Sequence, residues 1–259
     1  MVLSVPADRL IAGTLLFIRV LAILATAPLL GARSVPARVK VGLAMVLTLI
    51  LLPQALVGAG FQPVSSMPGF ALAVAGEVLV GAALGLLARL LFAGVELSGQ
   101  VMGFQMGFGI VNVIDPQTQT QVSILGQFQG LVALLVFLSV NAHHVILAAL
   151  VRSLEVMPLA APRVGVEASG GLVRWAGEMF AIGAKLAAPV VITLFIANVV
   201  LGIIARTVPQ INLLIVGFPL TIALGLAVLG LSLPFMGRAV QTLFQGLEGR
   251  MVTLLDLMH

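Results

Sequence analysis

The side chains in this sequence that could do chemistry are few and widely separated. Arg19, Glu77, Arg89, Glu96 and Lys185 each interrupt a long apolar run. A charge in such a run either pairs inside a helical bundle or lines a water-filled path. An isolated arginine at mid-bilayer costs at least roughly 2.5–3.5 kcal/mol on insertion scales, so Arg19 must face protein, water or a partner. Glu77 and Arg89 stand twelve positions apart, about 18 Å along a helix, too far to pair with each other. Arg174, Glu178 and Lys185 follow at intervals of four and seven, which puts them on one helical face. The doublet His143-His144 invites a metal reading. Adjacent residues do not share a helix face, and no HExxH-type spacing accompanies the pair, so the histidines read as interfacial or buried. The absence of cysteine removes disulfides, thiolate metal sites and cysteine nucleophiles. Paired carboxylates in a cleft, a GxSxG turn and a phosphate-cradling loop are all missing. The sequence therefore points to no catalytic residue, metal or cofactor, and to a protein that is not an enzyme.

Small residues carry the second signal. Gly81 and Gly85 lie one turn apart in an apolar stretch, and Gly99, Gly103 and Gly107 repeat the interval of four. In lipid such spacing lets helix backbones approach closely, in place of a hydrophobic drive. Here it predicts packed helices or partner subunits at Gly81 and Gly85. From Gly99 to Gln121 the chain is rich in glycine and glutamine and includes Asp115-Pro116. Its apolar residues keep no helical stripe, so it reads as an irregular loop, of a length that is usually functional.

Composition says what surrounds these residues. Of 259 residues, 61% are hydrophobic and 8% charged, with a mean hydropathy of +1.22. An average soluble domain carries roughly a quarter charged residues. The surface must therefore face lipid or other protein. The net charge of +4 comes from scattered single residues; without a basic stripe or aromatic platform it does not indicate nucleic acid. The densest basic loop, Arg33, Arg38 and Lys40, places 32–40 on the cytoplasmic side and the N-terminus outside by the positive-inside rule.

A spanning helix needs roughly 20 mostly apolar residues. The expected segments are Leu10–Leu30, Val39–Val57, Phe70–Phe92 with an extension toward Met102, Ser123–Val140 with 145–156, Val190–Ala205 and Ile211–Leu233. The stretch 9–31 reads as a retained helix and not a cleaved leader, because Arg19 interrupts it and a basic n-region is lacking. Loops are expected at Gly60–Gly69, Asn141–His144, Pro158–Ser169 and Arg206–Asn212. Residues 170–188 carry Arg174, Glu178 and Lys185 on an otherwise apolar stretch, and 236–257 form a mixed, amphipathic tail after Pro234. The class is all-α, a polytopic membrane protein of about six apolar helical segments.

Several stretches also resemble one family. They are Ala27-Pro28-Leu29-Leu30-Gly31 with Val35 to Lys40, and Glu77-x-x-x-Gly81-x-x-x-Gly85. Gly103-Phe104-Gln105-Met106-Gly107-Phe108 leads to Asp115-Pro116, and Asn141-Ala142-His143 precedes Ser153 and Pro158. Last come Gly202-x-x-x-Arg206-x-x-Pro209-Gln210-x-Asn212 and Gly217-Phe218-Pro219. In this order they resemble the FliR family, flagellar type III export-gate membrane proteins whose injectisome counterpart is SctT. The resemblance implies a single domain over 1–259, with a FliP-like part at about 1–189 and a FliQ-like hairpin at about 190–259, built into a helical export-gate assembly. It implies FliP-like, FliQ-like, FlhB-like and FlhA-like partners, unfolded flagellar proteins as substrates, and a place in the bacterial inner membrane at the flagellar basal body. It assigns a gate-plug loop to Gly103, Phe104, Gln105, Met106, Gly107, Phe108, Gly109, Ile110, Val113, Asp115 and Pro116. Helix packing or subunit contact is expected at Arg19, Glu77, Gly81, Gly85, Arg89, Lys185, Arg206, Pro209, Gln210 and Asn212. The competing expectation is a secondary transporter, with a broken-helix site at 99–121 and Asn198.

Overall fold

The computed structural model describes residues 7–31, 34–58, 66–108, 123–160, 166–208 and 213–258. About nine-tenths of these residues are helical, and none is in a strand. Among the described residues eight helices follow in order: α1 Ala7–Thr26, α2 Ala37–Gly58, α3 Met67–Met106, α4 Ile124–Ser139, α5 Ala142–Val156, α6 Val166–Thr207, α7 Leu213–Gln245 and α8 Leu247–Met258. Among the described residues five stretches are long and apolar enough to cross a membrane, or six if the bent pair α4–α5 counts as one span.

Several helices run past the points where the sequence predicts a stop. α3 begins at Met67 rather than Phe70, because the Ser66 hydroxyl accepts from the Gly69 amide at 3.3 Å. Pro68 then falls in the first turn, where its missing N–H costs nothing. At the other end α3 continues through Gly99 and Gly103 to Met106. The irregular loop expected from Gly99 is thus helical over its first eight residues; 109–122 lie outside the described residues. The glycines do not break the helix because neighbours occupy the space a side chain would take. A Cβ at Gly94 would come within 3.0 Å of the Met179 carbonyl, and one at Gly99 would collide with the Leu125 carbonyl and the Gly126 backbone.

The same correction applies to α6 and α7. The charged stretch 170–188 and the apolar helix after it are one helix of 42 residues through Pro189. Ile182, Leu186, Val190 and Leu194 are all buried. Their interval of four runs across the proline, so one packed face holds both sides. α7 likewise runs through Pro219 and Pro234, and the expected tail is its end plus α8. The break after α4 is shorter than expected. Val140 and Asn141 form it, with Asn141 left-handed at φ 57°, a conformation asparagine adopts readily. The bend is 67°. His143 and His144 sit in the first turn of α5, their ring centres 4.1 Å apart.

Two compact units emerge. The first comprises Met1–Leu90, Asn141–Ala176 and Gln245–His259. It holds the α1–α2 hairpin, in which Gly13 faces Leu52, together with α5 and α8. The second comprises Leu91–Val140 and Gly177–Phe244. Its core contains Phe92, Phe137 and Phe244, with ring centres 5.0 to 5.3 Å apart.

Candidate functional site

Two constellations stand out, one in each unit. In the first unit Arg19 and Glu77 are completely buried and paired, Nε to Oε2 at 2.5 Å. Arg19 Nη1 also donates to the Ser153 carbonyl at 2.9 Å and to the Met157 carbonyl at 3.0 Å. Nη2 donates to the same Met157 carbonyl at 3.0 Å. The other Glu77 oxygen accepts from the Ala160 amide at 3.1 Å. The guanidinium thus sits at the C-terminal end of α5, against the Met157 carbonyl just past the last helical residue, where positive charge is favoured. Ala160 is held at φ 68°, which is uncommon outside glycine.

Close helix approach makes this possible. Glu77, Gly81 and Gly85 share one face of α3. A Cβ at Gly81 would lie 2.5 Å from the Arg19 carbonyl and 2.7 Å from the Ala22 Cβ, and one at Gly85 would overlap the Thr26 hydroxyl. Of the two alternatives the spacing leaves open, packed helices or partner subunits, the contact seen at these glycines is with α1 of the same chain. Arg89, Lys185 and Arg206 are exposed and lie outside this node. Pro209, Gln210 and Asn212 fall outside the described residues. Sequence reasoning missed Ser153, Met157 and Ala160 as partners of Arg19 and Glu77. The available signal was Ser153 with Pro158 just past an amphipathic stretch, the mark of a helix end.

The second constellation is the end of α3. Phe108 N–H bonds to the Gly103 carbonyl at 3.0 Å and Gly107 N–H to the Phe104 carbonyl at 3.1 Å. With Gly107 at φ 96°, this is a Schellman closure, in which glycine supplies the left-handed residue. The Phe218 ring lies against Gly107, where an added Cβ would meet Cδ1 at 2.8 Å. Phe104 is 78% exposed, and a shallow groove of about 350 Å³ runs from it past Asn198 to Phe218. Of the predicted plug residues, Gly103 to Phe108 are gathered here, while Gly109, Ile110, Val113, Asp115 and Pro116 lie outside the described residues. Of the break expected at 99–121 for a transporter site, 99–106 are helical, while 109–121 lie outside the described residues.

Among known families, the model for bacterial export proteins, family 1, matches residues 10–247. The chain belongs to this family. It is 38% identical over 246 residues to the flagellar biosynthetic protein FliR of Bacillus subtilis, covering 92% of each chain. Against FliR of Escherichia coli it is 34% identical over 227 residues, 88% of this chain and 86% of that one. Against FliR of Pectobacterium carotovorum identity is 32% over 232 residues, 88% of this chain and 86% of that one. This FliR-family chain is thus a membrane protein and a component of the flagellar export apparatus.

Proposed function

We propose that this chain is a structural and gating subunit of the flagellar type III export apparatus. With FliP-like and FliQ-like subunits it builds the inner-membrane channel for unfolded flagellar proteins, beside FlhB-like and FlhA-like components. One observation carries the reading. Leu72 and Phe104 of α3 are 73% and 78% exposed, and they stand 32 positions apart. That is about 48 Å along the helix, against a hydrocarbon core of about 30 Å. A typical tilt of about 20° shortens the span by only about 3 Å. Lipid cannot cover both ends of this apolar surface, so at least one end is covered by other protein or stands clear of the membrane. Arg206, Pro209, Gln210 and Asn212 are assigned to such subunit contacts. The FliP-like part at 1–189 and FliQ-like hairpin at 190–259 are a division by resemblance, since α6 passes through Pro189 unbroken.

The segment Gly103–Pro116 serves as the seal of the idle channel. It joins Phe104, Met106, Phe108, Ile110 and Val113 to glycines at 103, 107 and 109. Glycine permits sharp turns and methionine fills irregular gaps, while an apolar constriction excludes water and ions. Deleting Gly103–Val113 should leave an assembled gate that conducts ions without substrate. Intact complexes with no rise in membrane permeability would sink the seal; loss of the complex would make the segment a brace between subunits.

A further inference from the structure

The end of α3 is not set by its own sequence alone. The Met106 carbonyl belongs to the last helical residue and has no partner within α3, as at any helix end. It is met instead from α7. The Thr221 hydroxyl lies 3.2 Å from the Met106 carbonyl and 3.1 Å from the Phe218 carbonyl in its own helix. Thr221 is buried, so this is not a solvent-exposed hydroxyl making a casual contact. One turn further along α7, Gly225 receives the Met106 side chain. A Cβ built on Gly225 would stand 2.6 Å from Met106 Cγ and 2.7 Å from its Cε. Met106 itself is fully buried. One turn back, the Phe218 ring covers Gly107. Three consecutive contacts on one face of α7 thus hold a carbonyl, a side chain and a left-handed glycine at the point where α3 stops.

We propose that Thr221 and Gly225 are positioning residues that fix the C-terminal end of α3, and with it the point where the channel segment leaves the helix. The proposal rests on the reading of that segment as a seal. Helix ends fray readily, and one added or lost turn moves the exit by about 5.4 Å along the axis. A seal made of a few apolar side chains does not tolerate such a shift. Thr221 supplies the direction-specific bond, because a hydroxyl can donate to the terminal carbonyl where an apolar side chain cannot. Gly225 supplies the space, so that Met106 enters α7 as a knob and resists sliding.

The test uses the complete gate complex in native membranes, with Thr221→Val, Thr221→Ser, Gly225→Leu and the double variant Gly225→Leu/Met106→Ala. Two quantities are read: amide hydrogen exchange of the peptide covering Met106–Phe108, and proton leak without export substrate. Thr221→Val should speed exchange there by about fivefold, the size of one ordinary hydrogen bond, and leak should rise with it. Thr221→Ser keeps the hydroxyl and should behave as wild type. Gly225→Leu should also speed exchange, and Met106→Ala should reverse this by vacating the pocket. Unchanged exchange in both Thr221→Val and Gly225→Leu overturns the proposal, whatever the leak does. Faster exchange with unchanged leak keeps the positioning role and defeats the seal reading instead. If Gly225→Leu lowers recovery of the complex, Thr221→Val decides alone. Loss of the complex in Thr221→Val but not in Thr221→Ser also overturns the proposal, since the hydroxyl would then serve assembly and not the helix end.

Discussion

The Arg19–Glu77 pair gathers an ion pair and several hydrogen bonds in one buried place of the first unit. Both charges are withdrawn from solvent, and both Glu77 oxygens and the Arg19 guanidinium are engaged. Removing one member leaves the other a buried charge without its counter-ion, at a cost of about 3–5 kcal/mol. Arg19→Met and Glu77→Gln should each destabilise the chain on that scale. Arg19→Met with Glu77→Met should cost less than the sum of the single changes, because neither charge is then left unpaired. Trp175 is the chain's one tryptophan and is buried in the same unit. Its fluorescence during denaturation of the purified chain gives the double-mutant cycle, and strict additivity would argue against a coupled pair. Both charges were legible in the sequence as groups needing a partner. Their pairing was not, because the residues stand 58 positions apart and only the packing of α1 on α3 brings them together. Thr221 was illegible for a similar reason. A threonine inside an apolar helix bonds its own backbone so often that nothing in its type or spacing points across to Met106.

At the scale of elements, the sequence located the helices and misjudged where they end. Proline and glycine are strong stops in water-soluble helices, and element boundaries are expected from sequence at Gly99, between 188 and 190, and at Pro234. In this chain a stop matters less than what packs on it. Glycines of α3 admit the backbones of α1, α4 and α6, and the buried stripe of α6 runs on past Pro189. A glycine used for close approach looks in sequence the same as a glycine used for a bend. The structure separates the two by the space around each. Gly99→Ala drives a methyl group into the α4 backbone at Leu125–Gly126 and should cost about 1–3 kcal/mol as overpacking. Gly177, in α6, has nothing near an added Cβ. Gly177→Ala should be neutral or stabilising by up to about 1 kcal/mol, from helix propensity alone. Thermal unfolding of the two variants in one detergent compares them directly. An equal loss in both would mean that glycine in these helices serves flexibility, not contact.

At the scale of the whole molecule, composition alone fixed the class, since 8% charge cannot clothe a water-facing surface. It could not say how the apolar surface is shared between lipid and protein, because a leucine facing a lipid tail and one facing a partner helix are the same letter. Helix length decides the matter. α3 has 40 residues and α6 has 42, about 60 Å each at roughly 1.5 Å per residue. Each is about twice the thickness of a hydrocarbon core. α6 repeats the pattern of α3, with Val173 73% exposed and Ile203 61% exposed. These stand 30 positions apart, about 45 Å. No single bilayer reaches both ends of either helix, so at least one end must be covered by protein or stand clear of the membrane. Photo-crosslinkers placed singly at Leu72, Phe104, Val173 and Ile203 in native membranes should divide accordingly. Within each helix, at most one of the two positions should label phospholipid, and the other should capture a protein. Phospholipid labelling at both Leu72 and Phe104 would mean that the membrane thins or the helix tilts far beyond the usual range. The exposed apolar surface would then call for no partner subunit.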